Sequence, residues 1–181
     1  MKFHNAFLKS SFVVLLIWFI STVDLHATDR VESAGEMLTY VLPVAAGGLL
    51  IGYKDGEGAL QFFESNALAF GVTRALKYTV NETRPNGEKH SFPSGHTSAS
   101  FASAEFIRKR YGWEYGVPAY GIAGFVAYSR VEARQHYTHD VLAGAVIGVG
   151  SNYLFTKPYK GWYLKVEAVS RYYGICFSHT W

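Results

Sequence analysis

The chain has 181 residues, 49% of them hydrophobic and 17% aromatic, which is enough for one domain with a sizeable core and too apolar for general disorder. A net charge of +3, spread along the chain, argues against a nucleic-acid partner, and the single cysteine, Cys176, excludes an intrachain disulfide framework. The mean hydropathy of +0.04 is low for a chain made mostly of membrane spans.

Lys2 and Lys9 precede an apolar run from Ser11 to Val23, and Leu25-His26-Ala27 then ends on a small residue. A positive flank, a short apolar core and a small terminal residue predict a secretory signal peptide over 1–27, with an uncleaved anchor as the alternative. The apolar run is shorter than the roughly 20 residues a spanning helix needs. The rest of the chain is then exported to the periplasm or cell envelope, with membrane association open. It divides into a helical domain over 28–156 and a β-strand appendage over 157–181.

About five helices are predicted in that domain. Residues 32–53 read as an apolar helix interrupted near Pro43 and Gly47-Gly48, and Lys54 to Gly58 as a turn. Residues 59–80 form a second helix. Within it, Phe62, Phe63 and Phe70 suit a core better than a lipid groove. Thr83 to Ser91 is a polar loop containing Pro85 and Gly87. Ser94 is placed to cap a third helix running to Arg110, whose basic Arg108-Lys109-Arg110 suits the negative end of the helix dipole. Pro118 fits the first turn of a fourth helix over about 117–130. The fifth runs from His136 or Thr138 to Phe155. Its Gly144 and Gly148 are a small-xxx-small pair, read as close helix packing. Most apolar runs are too short for lipid-spanning helices, which favours buried core helices. In the tail, Trp162, Leu164, Val166 and Ala168 alternate with more polar residues, as do Tyr173, Ile175 and Phe177. That period of two predicts a short C-terminal β-hairpin.

Three polar clusters stand out from this background: Lys77 with Arg84-Pro85, Pro93-Ser94-Gly95-His96, and Ser129-Arg130 with His136 and Asp140. Lys77 brings a point charge and Arg84 a planar fork matched to phosphate oxygens. Gly95 leaves room for an anion to approach backbone N–H groups at a helix start. Ser94 either caps the helix or donates to an oxygen. His96 can serve as general acid, protonating a leaving alcohol. On a helix, His136 and Asp140 share a face; alternatively, Asp140 sits at the helix start and reaches back. In both cases a carboxylate can accept Nδ1–H and leave Nε2 free to attack phosphorus. Arg130 can clamp the phosphate. His139 and Arg134 read as spectators or supporting residues. With three cations around the group, neither a divalent metal nor another cofactor is needed.

Lys77-x6-Arg84-Pro85, Pro93-Ser94-Gly95-His96 and Ser129-Arg130-x5-His136-x3-Asp140 together resemble the three-part signature of the type-2 phosphatidic acid phosphatase and vanadium haloperoxidase superfamily. All three parts are complete, in order and at the family spacing. The motifs cover 77–140, and the helical pattern extends the likeness to about 36–156. The resemblance implies an all-helical core with the site between helices. It implies phosphate binding by Lys77, Arg84, Ser94, Gly95 and Arg130, with His96 as acid, His136 as nucleophile and Asp140 as its orienting partner. Hydropathy departs from the family, whose lipid-phosphate members are usually obvious multi-span proteins.

The expected activity is therefore a metal-independent phosphatase working through a phosphohistidine. A lipid phosphate is the first choice of substrate, and a small phosphomonoester handled by a soluble periplasmic acid phosphatase is the alternative. Three further readings compete with less support. They are a vanadate-dependent haloperoxidase, a hydrolase with a metal on His136, His139 and Asp140, and a non-catalytic phosphate-binding envelope protein.

Overall fold

The computed structural model describes residues 28–159, with side chains from Arg30 onward, and the backbone of 162–169 and 172–179. The expected signal peptide over 1–27 lies outside the described residues. Five helices make up the described body: α1 (Thr28–Tyr53), α2 (Gly56–Val80), α3 (Gly95–Tyr111), α4 (Trp113–Glu132) and α5 (Thr138–Phe155).

Helix α3 is the axis of the bundle and touches all four others. Its sequence suits that place, because Ser98, Ser100, Ala102, Ser103 and Ala104 are small and buried, so neighbours can approach closely. Helix α5 approaches closest. A Cβ on Gly144 would lie 2.6 Å from the Ser94 carbonyl oxygen, and one on Gly148 would lie 2.4 Å from that of Ser98. The glycine pair therefore sets the α3–α5 spacing, as its sequence pattern suggested. The apolar core lies between α1, α3 and α4, where Leu38, Leu42, Leu49, Phe106, Ile107, Ile122 and Val126 are buried. Each such side chain contributes on the order of 1.5–3 kcal/mol by leaving water.

Helix α1 departs from expectation. It runs unbroken for 26 residues, with Pro43 inside it. Leu38, Leu42, Ala46 and Leu49 recur on one face and are buried, and that packing outweighs the local cost of proline and glycine. The opposite face carries Met37, Val44 and Ile51, all exposed. Apolar on both faces, α1 is long and apolar enough to cross a membrane by length and composition. Helix α4 begins at Trp113, so Pro118 sits in its second turn rather than its first. Phe62 packs edge-on against Phe106 in the core. Phe63 and Phe70 instead point outward, 71% and 64% exposed, which corrects their placement as core residues.

The basic run at the end of α3 does more than complement a helix dipole. Arg110 forms a buried two-pronged pair with Asp55, at 2.6 and 2.7 Å, and also donates to the Lys157 carbonyl. Burial pushes the Asp55 carboxyl up, but Arg110, the Gly58 N–H and the Tyr111 hydroxyl together hold it below its usual range. This knot fastens the α1–α2 turn to the end of α3, and Tyr159 joins it by donating to the Tyr53 carbonyl. The side chains of the expected C-terminal hairpin lie outside the described residues.

Candidate active site

At the opposite end of α3 the three polar clusters meet. Helix α2 stops at Asn81, which is left-handed at φ 45°, and this turns the chain into the loop that carries Arg84. Lys77, in the last turn of α2, donates to the carbonyls of His90 at 2.7 Å and Ser91 at 3.3 Å. The second cluster is tied to the third through main chain, because the Ser94 N–H donates to the Asp140 carbonyl at 3.0 Å. In the third cluster the N–H groups of Gln135 and His136 both donate to the Arg130 carbonyl. That fold-back sets the imidazole just before α5 begins.

Lys77, Arg84, Gly95, His96 and His136 line one cavity of about 600 Å³. Their separation along the chain, from 77 to 136, makes this convergence a property of the fold. At Gly95 an added Cβ would meet only the Thr73 methyl, at 3.9 Å. The space above this first turn of α3 is therefore open, and a helix start favours an anion there. Arg84 donates through Nη1 to Gln135 and Glu88, each at 2.8 Å. Its Nε is buried with no hydrogen-bond partner. An unpaired guanidinium N–H beside a cavity is suited to an oxyanion.

His136 is buried, and its Nδ1 lies 3.4 Å from Asp140 Oδ2 and 3.5 Å from the Ser91 hydroxyl. Asp140 sits in the first turn of α5 and reaches back to its partner, accepting the Tyr137 N–H at 2.9 Å with the same oxygen. Of the two arrangements open from sequence, this is the one adopted. Burial, then the charges of Lys77 and Arg84, hold the His136 pKa well below the ordinary imidazole range, against the opposing pull of Asp140. The ring is thus kept neutral, and with Nδ1 turned to a carboxylate, Nε2 carries the free lone pair.

Two further residues that the resemblance implied as phosphate binders make contacts with the protein in this structure. Ser94 is fully buried and caps α3, receiving the Thr97 N–H and sharing a hydrogen bond with the Thr97 hydroxyl. Arg130 is 1% exposed and lies behind the cavity wall. Its Nη2 donates to the Glu32 carbonyl at 2.6 Å, and Nη1 lies 3.6 Å from Glu36. It still exerts its charge on His96. Arg74, one turn before Lys77, lines the cavity as a third cation.

Sequence reasoning also passed over Ser91, Gln135 and Glu32. The Ser91 hydroxyl donates to Asp140 Oδ2. Gln135 accepts from Arg84 and donates to the Glu32 carboxylate at 2.9 Å. Glu32 therefore steadies Arg130 through its main chain and Arg84 through Gln135. No local pattern marks such contacts, which join residues 98 and 103 positions apart.

A neutral imidazole facing a cavity with three cations and a helix start can attack tetrahedral phosphorus and stabilise the charge that develops. The comparisons point to phosphatases. A profile of the PAP2 superfamily matches residues 58–162. The chain is 30% identical to the lipid A 4'-phosphatase of Helicobacter pylori over 96% of its own length and 98% of that protein's. It is 40% identical to the lipid A 1-phosphatase of Porphyromonas gingivalis over 88 residues, which make up 46% of this chain and 20% of that protein. Among solved structures it is similar to LpxE of Aquifex aeolicus, with a TM-score of 0.61 and 21% identity, covering 77% of this chain and 92% of that one.

Proposed function

Because the chain belongs to the PAP2 superfamily and is a phosphoric monoester hydrolase of that type, we propose that it removes a phosphate from a lipid of the lipid A class through a phosphohistidine at His136. The observation that carries the mechanism is the meeting of Lys77, Arg84, Gly95, His96 and His136 on one cavity, with Asp140 behind His136.

His136 Nε2 attacks phosphorus, forming an N–P bond as the P–O bond to the sugar breaks. His96 gives its proton to the departing alkoxide. Water then attacks phosphorus, His96 takes the proton back, the N–P bond breaks and inorganic phosphate leaves. Lys77, Arg84 and the backbone at Gly95 hold the equatorial oxygens, and the unpaired Arg84 Nε supplies one of those bonds. Arg130 joins them by giving up Glu36, whose carboxylate is 55% exposed and readily released to water. Ser94 acts by fixing the first turn of α3. The cycle uses no divalent metal and no other cofactor.

A lipid substrate is supported by the rim of the cavity, where Phe70 and Tyr40 are 64% and 70% exposed while also lining it. The outward faces of α1, α2 and α5 carry Val44, Ile51, Phe63, Leu142, Val146 and Leu154, each more than half exposed. We therefore place the bundle in a membrane of the cell envelope, with the cavity opening toward the lipid headgroups. Residues 1–27 act as the leader or anchor, 28–156 as the catalytic domain, and the tail as a β-hairpin appendage supported by its alternating sequence. Phosphate release from lipid A and from a soluble aryl phosphate, measured in chelator, tests the reading. Chelator-resistant release from lipid A that is blocked by vanadate agrees with it. Preference for the aryl phosphate would favour the small-substrate alternative, and loss of activity restored by zinc would favour a metal hydrolase.

A further inference from the structure

Asp140 uses only one of its oxygens on His136. The other, Oδ1, is buried and takes part in no hydrogen bond, although the residue itself is fully buried. Oδ1 faces His139 Nε2 at 3.2 Å. The same nitrogen lies 3.0 and 3.2 Å from the two carboxylate oxygens of Glu82. One ligand atom from each of the three residues falls within 4.8 Å of the others.

Two carboxylates around one imidazole nitrogen form a nest of acceptors that calls for a cation. A proton on Nε2 answers only half of that call, because a single N–H is directional and Glu82 takes it, leaving Oδ1 unserved. A tetrahedral zinc ion has bonds of about 2.0–2.1 Å to nitrogen and oxygen, which puts its ligands roughly 3.3 Å apart. The nitrogen–oxygen separations of 3.0–3.2 Å are close to that edge length. One nitrogen and two carboxylates also suit zinc better than magnesium or calcium, which take oxygen ligands in larger number.

The surroundings behave like the outer shell of a metal site. The His139 ring is stacked on Tyr137, 5.4 Å between centroids and 8° from parallel, and lies over Phe92 on its other contact at 6.2 Å. The far oxygen of Asp140 is fixed by the Ser91 hydroxyl and the Tyr137 N–H, as ligating carboxylates commonly are. An entry path exists, since His139 and Glu82 are 57% and 32% exposed.

We propose that Glu82, His139 and Asp140 form a binding site for a zinc-type divalent cation that shares Asp140 with His136, and that its occupancy slows the enzyme. A cation on Oδ1 draws charge from the carboxylate that supports His136, so the imidazole becomes a weaker nucleophile. This site is distinct from a catalytic metal centre on His136, His139 and Asp140, because the two histidines address different oxygens of Asp140. The inhibitory half rests on the phosphatase reading, whereas the binding half does not.

The test uses the full-length, untagged protein stripped with chelator and then dialysed free of it. Zinc chloride is titrated by calorimetry into the wild type, His139→Ala and Glu82→Gln, and phosphate release is followed with and without zinc. The expected result is one zinc bound by the wild type, with each variant weakened by at least about tenfold. In chelator both variants should match the wild-type rate within about twofold, and zinc should inhibit the wild type far more than either variant. Zinc binding that is absent from the wild type, or undiminished in both variants, overturns the site. Equal inhibition of all three proteins, or binding without inhibition, overturns the regulatory role. If no phosphate ester is turned over at all, the phosphatase reading fails while calorimetry still decides the site.

Discussion

Gly35 on α1 lies so close to Ser129 on α4 that a methyl at position 35 would come within 1.8 Å of the Ser129 hydroxyl oxygen and 3.0 Å of Arg130 Nη2. The glycine lets α1 press against the backbone that carries Arg130, and the Glu32 carbonyl one turn earlier accepts from that guanidinium. Gly35→Ala should therefore displace α1 and Arg130 together. The expected cost is about 1–3 kcal/mol of stability from overpacking, with a fall in kcat/KM, measured by thermal unfolding and phosphate release. Adding Ser129→Gly should recover part of both losses. Additive losses in the double variant would show that the contact does not govern Arg130.

The Asp55–Arg110 pair stands at the far end of α3 from the cavity. Asp55→Ala leaves a buried guanidinium without its carboxylate, a change expected to cost about 3–5 kcal/mol. Unfolding midpoints should drop sharply, while KM measured below the new midpoint should stay at its wild-type value. A double replacement by apolar residues of similar volume should restore much of the midpoint. A changed KM with unchanged stability would contradict a purely structural role.

Arg84→Lys keeps the charge but removes the fork and the buried Nε. Losing a hydrogen bond to a charged phosphate is worth about 1.5–3 kcal/mol, or roughly ten- to a hundredfold in kcat/KM. Steady-state kinetics in chelator should show that loss. Unchanged kinetics would remove Arg84 from the phosphate site.

The depressed pKa of His136 has a definite sign in a pH profile. Burial and the charges of Lys77 and Arg84 favour the neutral ring, so His136 remains a nucleophile as pH falls through its unperturbed value of 6.5. The acid limb of kcat/KM in chelator should accordingly lie below 6.5. Lys77→Met removes one of those charges and should move the limb upward, even as the overall rate falls. A limb above 6.5 in the wild type, or a downward shift in the variant, would contradict this electrostatic account.

Much of this arrangement could be read from the chain alone, and the exceptions have a common cause. The three motifs were legible because each is local, with residue types and spacings dictated by phosphate chemistry. Gly144 and Gly148 were legible because small residues one turn apart have few uses besides close packing. The course of α1 was not, since Pro43 and Gly47-Gly48 are breakers by propensity and only packing of Leu38, Leu42 and Leu49 overrides them. Of the two roles open to Ser94 from sequence, the contact with Thr97 shows the cap, whereas the contact of Arg130 with Glu32 carried no signal, because a cation near a motif can turn toward a ligand or toward the protein. Ser91 and Gln135 carry no signal at all, and their importance comes from partners 45 or more positions away.

The central claim is that the His136 imidazole carries the phosphoryl group, and trapping that species tests it most directly. Lipid substrate labelled in its phosphate is mixed with enzyme, quenched within one turnover in alkali, and the protein is mapped for label. The account predicts an alkali-stable, acid-labile phosphoryl group on His136 that is absent from an inactive but folded His136→Ala protein. Label on any other residue, or full turnover by His136→Ala, would contradict it.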